Sequence, residues 1–147
     1  MKVLVLHGPN LNLLGQRQPE LYGTKTLDQI NEEIELLGSQ LGLDVDFLQS
    51  NQEGMLIDRI HQARGVYQWL VFNPAAFTHY SYALRDALQA ADIPTIEVHL
   101  SNIQAREEFR SRSVLAPVCV GQVSGFGITS YLLALYAIFE RGRLGEA

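Results

Sequence analysis

Five short apolar runs alternate along the chain with segments in which apolar residues recur at helical spacing. The runs span residues 2–7, 43–48, 66–72, 95–100 and 118–123 and are rich in Val, Ile and Leu. Continuous apolar runs of this length, bounded by Gly, Pro or Asn, are typical of strands that are buried on both faces. Because each run is followed by a helical pattern, the order βαβαβαβαβα favours a parallel sheet covered by helices.

The helical segments have recognisable starts and stops. Thr26–Gln29 and Ser50–Glu53 each fit a capping box, and the helices that follow end at Gly42 and Gly65. Two more helices are predicted over about residues 81–91 and 128–141. Right-handed crossovers leave few topologies. For 147 residues we predict a single domain, 1–147, with a flavodoxin-like, doubly wound parallel sheet in the order 2-1-3-4-5 and an α/β/α layering.

Composition narrows the classes of function. The formal charge is −5 and no Lys/Arg cluster stands out, which argues against a nucleic-acid partner. Cys119 is the only Cys and lies in a predicted core strand, so an internal disulfide and a Cys-based zinc site are excluded. No His, Cys or carboxylate spacing indicates a metal site. The first apolar run is too short for a signal peptide or a membrane span, so we expect a cytoplasmic protein without a membrane partner.

The segment of residues 7–23, HGPNLNLLGQRQPELYG, has neither helical nor strand periodicity. An irregular segment of this length inside a compact domain is usually functional or disordered. It contains Arg17 and Tyr22, and a guanidinium near a phenol stabilises the phenolate, which turns a weak acid into a base. The alternative is a surface loop with a packed Tyr and a solvated Arg.

Polar side chains collect where three predicted strands end. In open α/β sheets ligands bind at the carboxyl ends of the strands, and strands one, three and four are followed by or end in Asn10, Asn73 and His99. Glu97 lies two residues before His99, so both side chains share one face of a buried strand. A carboxylate beside an imidazole orients the ring and suits a general acid. The alternative is a structural ion pair.

The turn after the fourth strand predicts an anion site. Backbone N–H groups at Ser101 and Asn102 can hold a carboxylate. Arg106, Arg110 and Arg112 follow, and in a chain of charge −5 a local group of Arg predicts an anionic ligand. A solvated charged turn is the alternative.

Four other candidate site residues can each be explained by a frequent structural role. His79 precedes a helix, where N-cap and surface roles are frequent. Asp86 and His61 have the pattern of solvated helix residues. His7 fits either a pocket or a packing role, and its position in the sequence leaves both open.

Several nucleotide and hydrolase motifs are missing. There is no G-x-x-x-x-G-K-[ST] and no G-x-S-x-G, and Gly125-Phe-Gly127 lacks the full G-x-G-x-x-G pattern. A flavodoxin-like module that binds a nucleotide or flavin without catalysis is the main alternative. This alternative does not explain the Arg17/Tyr22 and Glu97/His99 pairs. A third hypothesis is a homologue that only assembles.

Four blocks of the chain resemble the type II 3-dehydroquinate dehydratases. They are residues 8–23, 73–86, 97–110 and the Gly-rich turn 121–127, and the resemblance extends over the whole chain. It implies a lyase that dehydrates 3-dehydroquinate to 3-dehydroshikimate, in the shikimate route to aromatic amino acids, by anti elimination through an enolate. It also implies no cofactor, no metal and no imine. The implied assembly is a homo-oligomer, a dodecamer built from trimers.

The resemblance assigns roles to individual residues. Tyr22 would remove the C2 proton, with Arg17 holding it ionised. His99 would protonate the departing C1 hydroxyl, with Glu97 orienting it. The remaining residues would contact the intermediate or the substrate: Asn10 through a water at the enolate, Asn73 beside His99, the backbone of Leu100 and Ser101 at the carboxylate, and His79, Arg110 and a neighbouring subunit's copy of Asp86 at the ring hydroxyls.

Overall fold

Two layers of helices enclose a sheet whose five strands all run in the same direction. The computed structural model describes residues 1–146 and has the strand order β2-β1-β3-β4-β5, which confirms the predicted flavodoxin-like, doubly wound fold. The strands are β1 (Lys2–His7), β2 (Asp44–Gln49), β3 (Trp69–Asn73), β4 (Thr95–His99) and β5 (Gly121–Ser124). The helices are α1 (Pro19–Tyr22), α2 (Leu27–Gln40), α3 (Glu53–Ala63), α4 (Tyr82–Ala91) and α5 (Thr129–Arg143).

Strand β1 lies inside the sheet and contributes to the hydrophobic core on both faces. Val3 and Val5 belong to the cluster formed with α2 and α5, whereas Leu4 and Leu6 belong to the cluster formed with α3 and α4. This division follows from the two-residue period of a strand. All four side chains are fully buried, and burial of each contributes roughly 1.5–3 kcal/mol. An unbroken apolar run is therefore what a doubly covered strand requires.

One of the two predicted capping boxes is present. Thr26 Oγ1 accepts a hydrogen bond from the Gln29 N–H at 3.2 Å, and the Gln29 side chain accepts one from the Thr26 N–H at 2.9 Å. The box predicted at Ser50 is wrong, because α3 begins at Glu53 with Gln52 as its N-cap. The Ser50 hydroxyl instead accepts from the Gln52 N–H at 2.9 Å, closing a local turn before the helix starts.

Two strands begin later than their apolar runs predict. At β3 the N–H groups of Val66 and Tyr67 both donate to the Ala63 carbonyl, at 3.1 and 3.0 Å, so these residues complete the end of α3. At β5 the preceding residues 116–118 form a 3₁₀ turn that contains Pro117, which has no N–H for a strand ladder. Apolar composition alone does not distinguish these turns from the strands they precede.

The late start of β5 corrects the position predicted for Cys119. This residue lies in the connection before the strand and is only partly buried. Burial still raises the pKa of its thiol to about 12, with a contribution from the nearby Glu97 charge. A thiol that stays protonated at neutral pH is a poor nucleophile. No helix within residues 1–146 is long and apolar enough to cross a membrane.

Candidate active site

A cavity of about 130 Å³ opens at the carboxyl ends of β1, β3 and β4. Parallel strands bring their carboxyl ends to one edge of the sheet, and the segments that follow them form the walls. Of the predicted site residues, the cavity is lined by Asn10, Arg17, Tyr22, Asn73, His79, His99, Leu100, Ser101 and Arg110. Glu97 lies beneath the cavity, and Asp86 lies outside it on the exposed side of α4.

Glu97 and His99 form a buried pair on β4. His99 Nε2 donates to Glu97 Oε1 at 2.6 Å, and the two residues are 5% and 0% exposed. The sequence predicts this contact, because residues two apart on a strand share a face. Since Nε2 is engaged below, Nδ1 is the ring atom that can exchange a proton with a ligand in the cavity.

The Glu97 carboxylate has two further donors that the sequence did not reveal. Thr78 Oγ1 donates to Oε1, and Ser113 Oγ donates to Oε2 at 2.8 Å. Burial by itself would raise the pKa of Glu97, but the hydrogen bonds and charge of His99, with the bonds from Thr78 and Ser113, bring it below its ordinary value. The carboxylate is therefore ionised at neutral pH and fixed at both oxygens.

Tyr22 also lines the cavity, at the end of the one-turn helix α1. This helix and a 3₁₀ turn at Leu11–Leu13 order the segment in which no periodicity was found. The Arg17 guanidinium lies over the Tyr22 ring, 5.4 Å from its centroid. Arg106 Nη1 donates to the Tyr22 hydroxyl oxygen at 2.9 Å. Two cations therefore face one phenol, and only Arg106 contacts its oxygen.

The sequence predicted no individual role for Arg106, which it indicated only as one member of the Arg group that follows β4. Arg106 lines the cavity together with Arg110, whereas Arg112 does not. Arg110 is held by an ion pair from its Nε to Glu107 Oε2 at 2.5 Å. The sequence signal for Arg106 was its place after β4, but its partner Tyr22 is 84 residues away in the chain. Only the fold brings the two together.

Asn73 ends β3 and leads into a strained turn. Its Oδ1 accepts from the Ala75 N–H at 3.1 Å, and Ala75 has a left-handed φ of 51°. Such a conformation costs a non-glycine residue about 1–3 kcal/mol. Gly8 packs against this turn, since a Cβ on it would lie 2.5 Å from the Pro74 carbonyl oxygen. The end of β1 therefore accepts only glycine at this position.

The Gly-rich turn supports the backbone of Leu100 and Ser101. The Leu100 carbonyl accepts from the Gly127 N–H at 2.9 Å, and the His99 carbonyl accepts from the Gly125 N–H at 3.3 Å. These two bonds hold the start of the predicted carboxylate-binding turn at the rim of the cavity.

His79 lines the cavity as a neutral ring. Its Nδ1 donates to the Arg112 carbonyl oxygen at 2.7 Å. Burial lowers the pKa of His79, and the neighbouring His99 and Arg110 act in the same direction against that hydrogen bond. With Nδ1 donating to the backbone, Nε2 is left as a hydrogen-bond acceptor.

The two remaining histidines, His61 and His7, do not line the cavity. His61 is exposed on α3, as expected of a solvated helix residue. His7 is fully buried and does not line the cavity, so its role is internal. Among the described residues no group of three His, Cys, Asp or Glu side chains could hold a metal ion.

Comparisons with known proteins agree with this geometry. The family model described as dehydroquinase class II matches residues 1–139. The 3-dehydroquinate dehydratase of Desulforudis audaxviator is 57% identical over 100% of both chains, and that of Pelotomaculum thermopropionicum is 58% identical over 93% of this chain and 95% of the relative. The crystal structure of type II dehydroquinase from Propionibacterium acnes superposes with a TM-score of 0.92 at 45% identity, covering 95% of this chain and 96% of that one.

This chain belongs to the class II dehydroquinase family. The resemblance stated from the sequence is thereby confirmed, and so is the enzyme class that it implied. In this class II dehydroquinase, the blocks 8–23, 73–86 and 97–110 each contribute residues to the cavity wall. The fourth block, 121–127, supports the wall from behind, since an ideal Cβ on Gly125 would lie 3.2 Å from the Asn102 side chain. The segments that resemble the family are thus the segments that build the site.

Proposed function

We propose that this enzyme dehydrates 3-dehydroquinate to 3-dehydroshikimate by an anti elimination through an enolate, with Tyr22 as base and His99 as acid. The observation that carries the proposal is that one cavity holds a buried Glu97–His99 pair and a Tyr22 hydroxyl bonded to Arg106. A proton acceptor and a proton donor that line one cavity are what an elimination of water requires.

The first step is proton abstraction. Phenolate Tyr22 takes the C2 proton, and the electron pair of that C–H bond moves toward the C3 ketone to form an enolate. The hydrogen bond from Arg106 and the Arg17 cation over the ring both stabilise the phenolate. Asn10, at the cavity rim, holds a water against the enolate oxygen.

The second step expels water. The enolate electrons return to form the C1–C2 double bond, and the C1–O bond breaks as His99 protonates the leaving hydroxyl. Glu97 stabilises the charged imidazole before that transfer and fixes its orientation. A hydroxyl is a poor leaving group, so this proton is the second requirement for catalysis.

The anionic substrate is held by groups around these two residues. The Leu100–Ser101 backbone binds the carboxylate, and Asn73, His79 and Arg110 contact the ring oxygens. Cationic and N–H donors that line a small cavity suit a carboxylate. In a chain of formal charge −5, this local concentration of Arg distinguishes the cavity from the remaining surface.

The direct test is appearance of the conjugated enone, followed by its ultraviolet absorbance, when purified protein meets 3-dehydroquinate. We expect turnover that is proportional to protein concentration. No product at any protein concentration would reject the function and favour a homologue that only assembles. A visible flavin band in the purified protein would favour the flavin-binding alternative.

The reaction proceeds without an imine. Lys2 lies at the amino end of β1 and pairs with Asp44 and Asp46, while Lys25 pairs with Glu33. Neither Lys lines the cavity. We therefore expect borohydride with substrate to leave activity intact, and EDTA to do the same. Mass spectrometry that detects substrate reduced onto a lysine would contradict this mechanism.

The same proposal includes a homo-oligomer, a dodecamer of trimers, in which Asp86 completes a neighbouring subunit's site. Asp86 is exposed and does not line the cavity of its own chain. Tyr80 and Tyr82, near the start of the same helix, are 57% and 65% exposed. Exposed aromatic residues of this kind are enriched in interfaces.

Mixing variants tests the shared site. Asp86→Ala and Tyr22→Phe are each expected to be impaired, and a refolded mixture should recover activity because some sites combine an intact Tyr22 with an intact Asp86. Sedimentation should give a mass far above 16.4 kDa. A fully active monomer at low concentration would reject the shared site without affecting the chemistry assigned to Tyr22 and His99.

A further inference from the structure

A buried polar network lies directly beneath the cavity. His7 and Tyr131 are both 0% exposed, and neither lines the cavity. His7 Nδ1 is 2.7 Å from the Tyr131 hydroxyl, and His7 Nε2 is 2.8 Å from Asn31 Oδ1. Asn73 Nδ2 is 3.0 Å from the same Tyr131 hydroxyl. The network therefore connects α2, β1 and α5 to a residue of the cavity wall.

The direction of each hydrogen bond follows from the backbone. Asn73 Oδ1 accepts from the Ala75 N–H, so the amide nitrogen must face Tyr131 and donate to its oxygen. The Tyr131 hydroxyl then uses its one proton toward His7 Nδ1. A ring nitrogen that accepts a proton leaves the other one as the donor, so His7 Nε2–H donates to Asn31 Oδ1.

The histidine stays neutral in this arrangement. Burial lowers the pKa of His7 to about 4, against the hydrogen bond to Asn31. A charged ring would place an N–H donor at Nδ1, opposite a hydroxyl that already accepts from Asn73. The displaced hydroxyl proton would then be left without the acceptor it has now. Neutral His7 is thus the form in which every member of the network is satisfied.

We propose that Tyr131 and His7 are positioning residues that hold the Asn73 amide with its nitrogen available to the cavity. The inference rests on the proposed function and deepens it by assigning a polarity to one wall of the site. One N–H of the Asn73 amide donates to Tyr131, and the second can donate to a substrate oxygen. If the amide flipped, the wall would offer an acceptor and would repel the lone pairs of that oxygen.

The Tyr131–His7 hydrogen bond differs from other buried hydrogen bonds because its loss should change substrate binding as well as stability. Tyr67 provides a matched comparison, because it is also buried, at 7% exposure, and its hydroxyl contacts Asp46 at 2.6 Å and Arg59 at 2.8 Å. Tyr67 does not line the cavity. Removing its hydroxyl should affect stability alone, whereas removing that of Tyr131 should also change substrate binding.

The test compares Tyr131→Phe with Tyr67→Phe in steady-state kinetics and thermal unfolding. We expect Tyr131→Phe to raise KM for 3-dehydroquinate about fivefold to tenfold, the effect of one misplaced hydrogen bond, with a smaller change in kcat. Tyr67→Phe should leave both constants unchanged. A KM that Tyr131→Phe does not alter, or that both variants raise equally, would overturn the proposal.

A double variant shows whether the effect acts through Asn73. Asn73→Ala should raise KM by itself, and adding Tyr131→Phe should raise it no further, because the group being positioned is already absent. Multiplied effects would mean that Tyr131 acts independently of Asn73 and would overturn the proposal. Should Tyr131→Phe fail to fold, His7→Phe replaces it, since this ring can keep the stacking on Phe47 at 6.3 Å; the same rise in KM is expected.

Nitrogen-15 NMR of histidine-labelled protein gives a readout that does not depend on activity. We expect His7 of the wild-type protein to carry its proton on Nε2. A proton on Nδ1 would reverse the network and reject the positioning role. An inactive wild-type protein with the Nε2–H form would instead reject the proposed function, so the two failures are distinguishable.

Discussion

The two walls of the cavity are built in different ways. The strand wall (Asn73 and His99, with Glu97 beneath them) consists of residues that are at most 5% exposed and bonded to other buried groups. The loop wall (Arg17, Tyr22 and Arg106) consists of half-buried side chains on two connections that contact one another mainly through the Tyr22 ring. The strand wall is part of the folded core, whereas the loop wall is added to it.

This difference has an energetic consequence. When a buried carboxylate loses a hydrogen-bond partner, both the free energy of unfolding and the activity should fall, because no water replaces the lost bond. A half-buried phenol that loses its hydroxyl still packs through its ring and leaves only solvent-accessible groups unpaired. Variants of the strand wall should therefore change activity and stability together, and variants of the loop wall should change activity alone.

The largest effect is expected on the loop wall. Tyr22→Phe removes the base and keeps the ring, so kcat should fall about 100-fold or more, the scale of general base catalysis. Its melting temperature should match that of the wild-type protein. Circular dichroism melting beside the enone assay checks both. Near-normal kcat would show that Tyr22 is not the base, and a large fall in melting temperature would break the distinction between the walls.

On the strand wall, Glu97→Gln should lower both quantities. Gln keeps one oxygen and places an NH2 group where the other was, so a donor faces either Ser113 or both His99 Nε2 and Thr78, which are donors themselves. We expect kcat to fall about tenfold and the free energy of unfolding to fall by about 1–3 kcal/mol, the cost of unpaired buried polar groups. Glu140→Gln, whose carboxylate pairs with Arg143 on the surface, is the control and should change neither.

Acid titration sharpens the same comparison. The pKa of Glu97 is lowered in the folded state, so its contribution to stability is present above the unfolded value of 4.5 and is lost as the pH falls below it. The difference in unfolding free energy between the wild-type protein and Glu97→Gln should therefore shrink on acidification below about pH 4.5. A difference that grows in acid would contradict an ionised Glu97.

The smallest effects should separate the two arginines of the loop wall. Arg106→Ala removes a charged hydrogen bond to the Tyr22 oxygen and should lower kcat about tenfold. Arg17→Ala removes a cation over the ring face and should lower it about twofold to fivefold. Both should leave the melting temperature unchanged. The reverse order of the two effects would show that Arg17 is the cation that holds the phenolate.

The strand wall was more predictable from sequence than the loop wall, and the reason is geometric. Glu97 and His99 are two residues apart on one strand, so period-two alternation is enough to place them together. Tyr22 and Arg106 come from connections without periodicity, and the sequence paired Tyr22 with its neighbour Arg17 instead. Proximity in the sequence favoured Arg17, the cation over the ring, while Arg106, the cation on the oxygen, lies 84 residues away from Tyr22 in the chain.

The alternation of apolar runs and helical periods determined the sheet, its strand order and the edge at which the site forms, because these patterns repeat locally along the chain. Only the tertiary structure decided which distant partners complete that edge: Arg106 for Tyr22, Ser113 and Thr78 for Glu97, and Tyr131 with His7 for Asn73. The sequence left the role of His7 open and passed over Tyr131 as one apolar position of a helix. Hydrogen bonds between residues 16 to 124 positions apart leave no periodic signal, since each depends on where two backbones meet and not on either backbone alone.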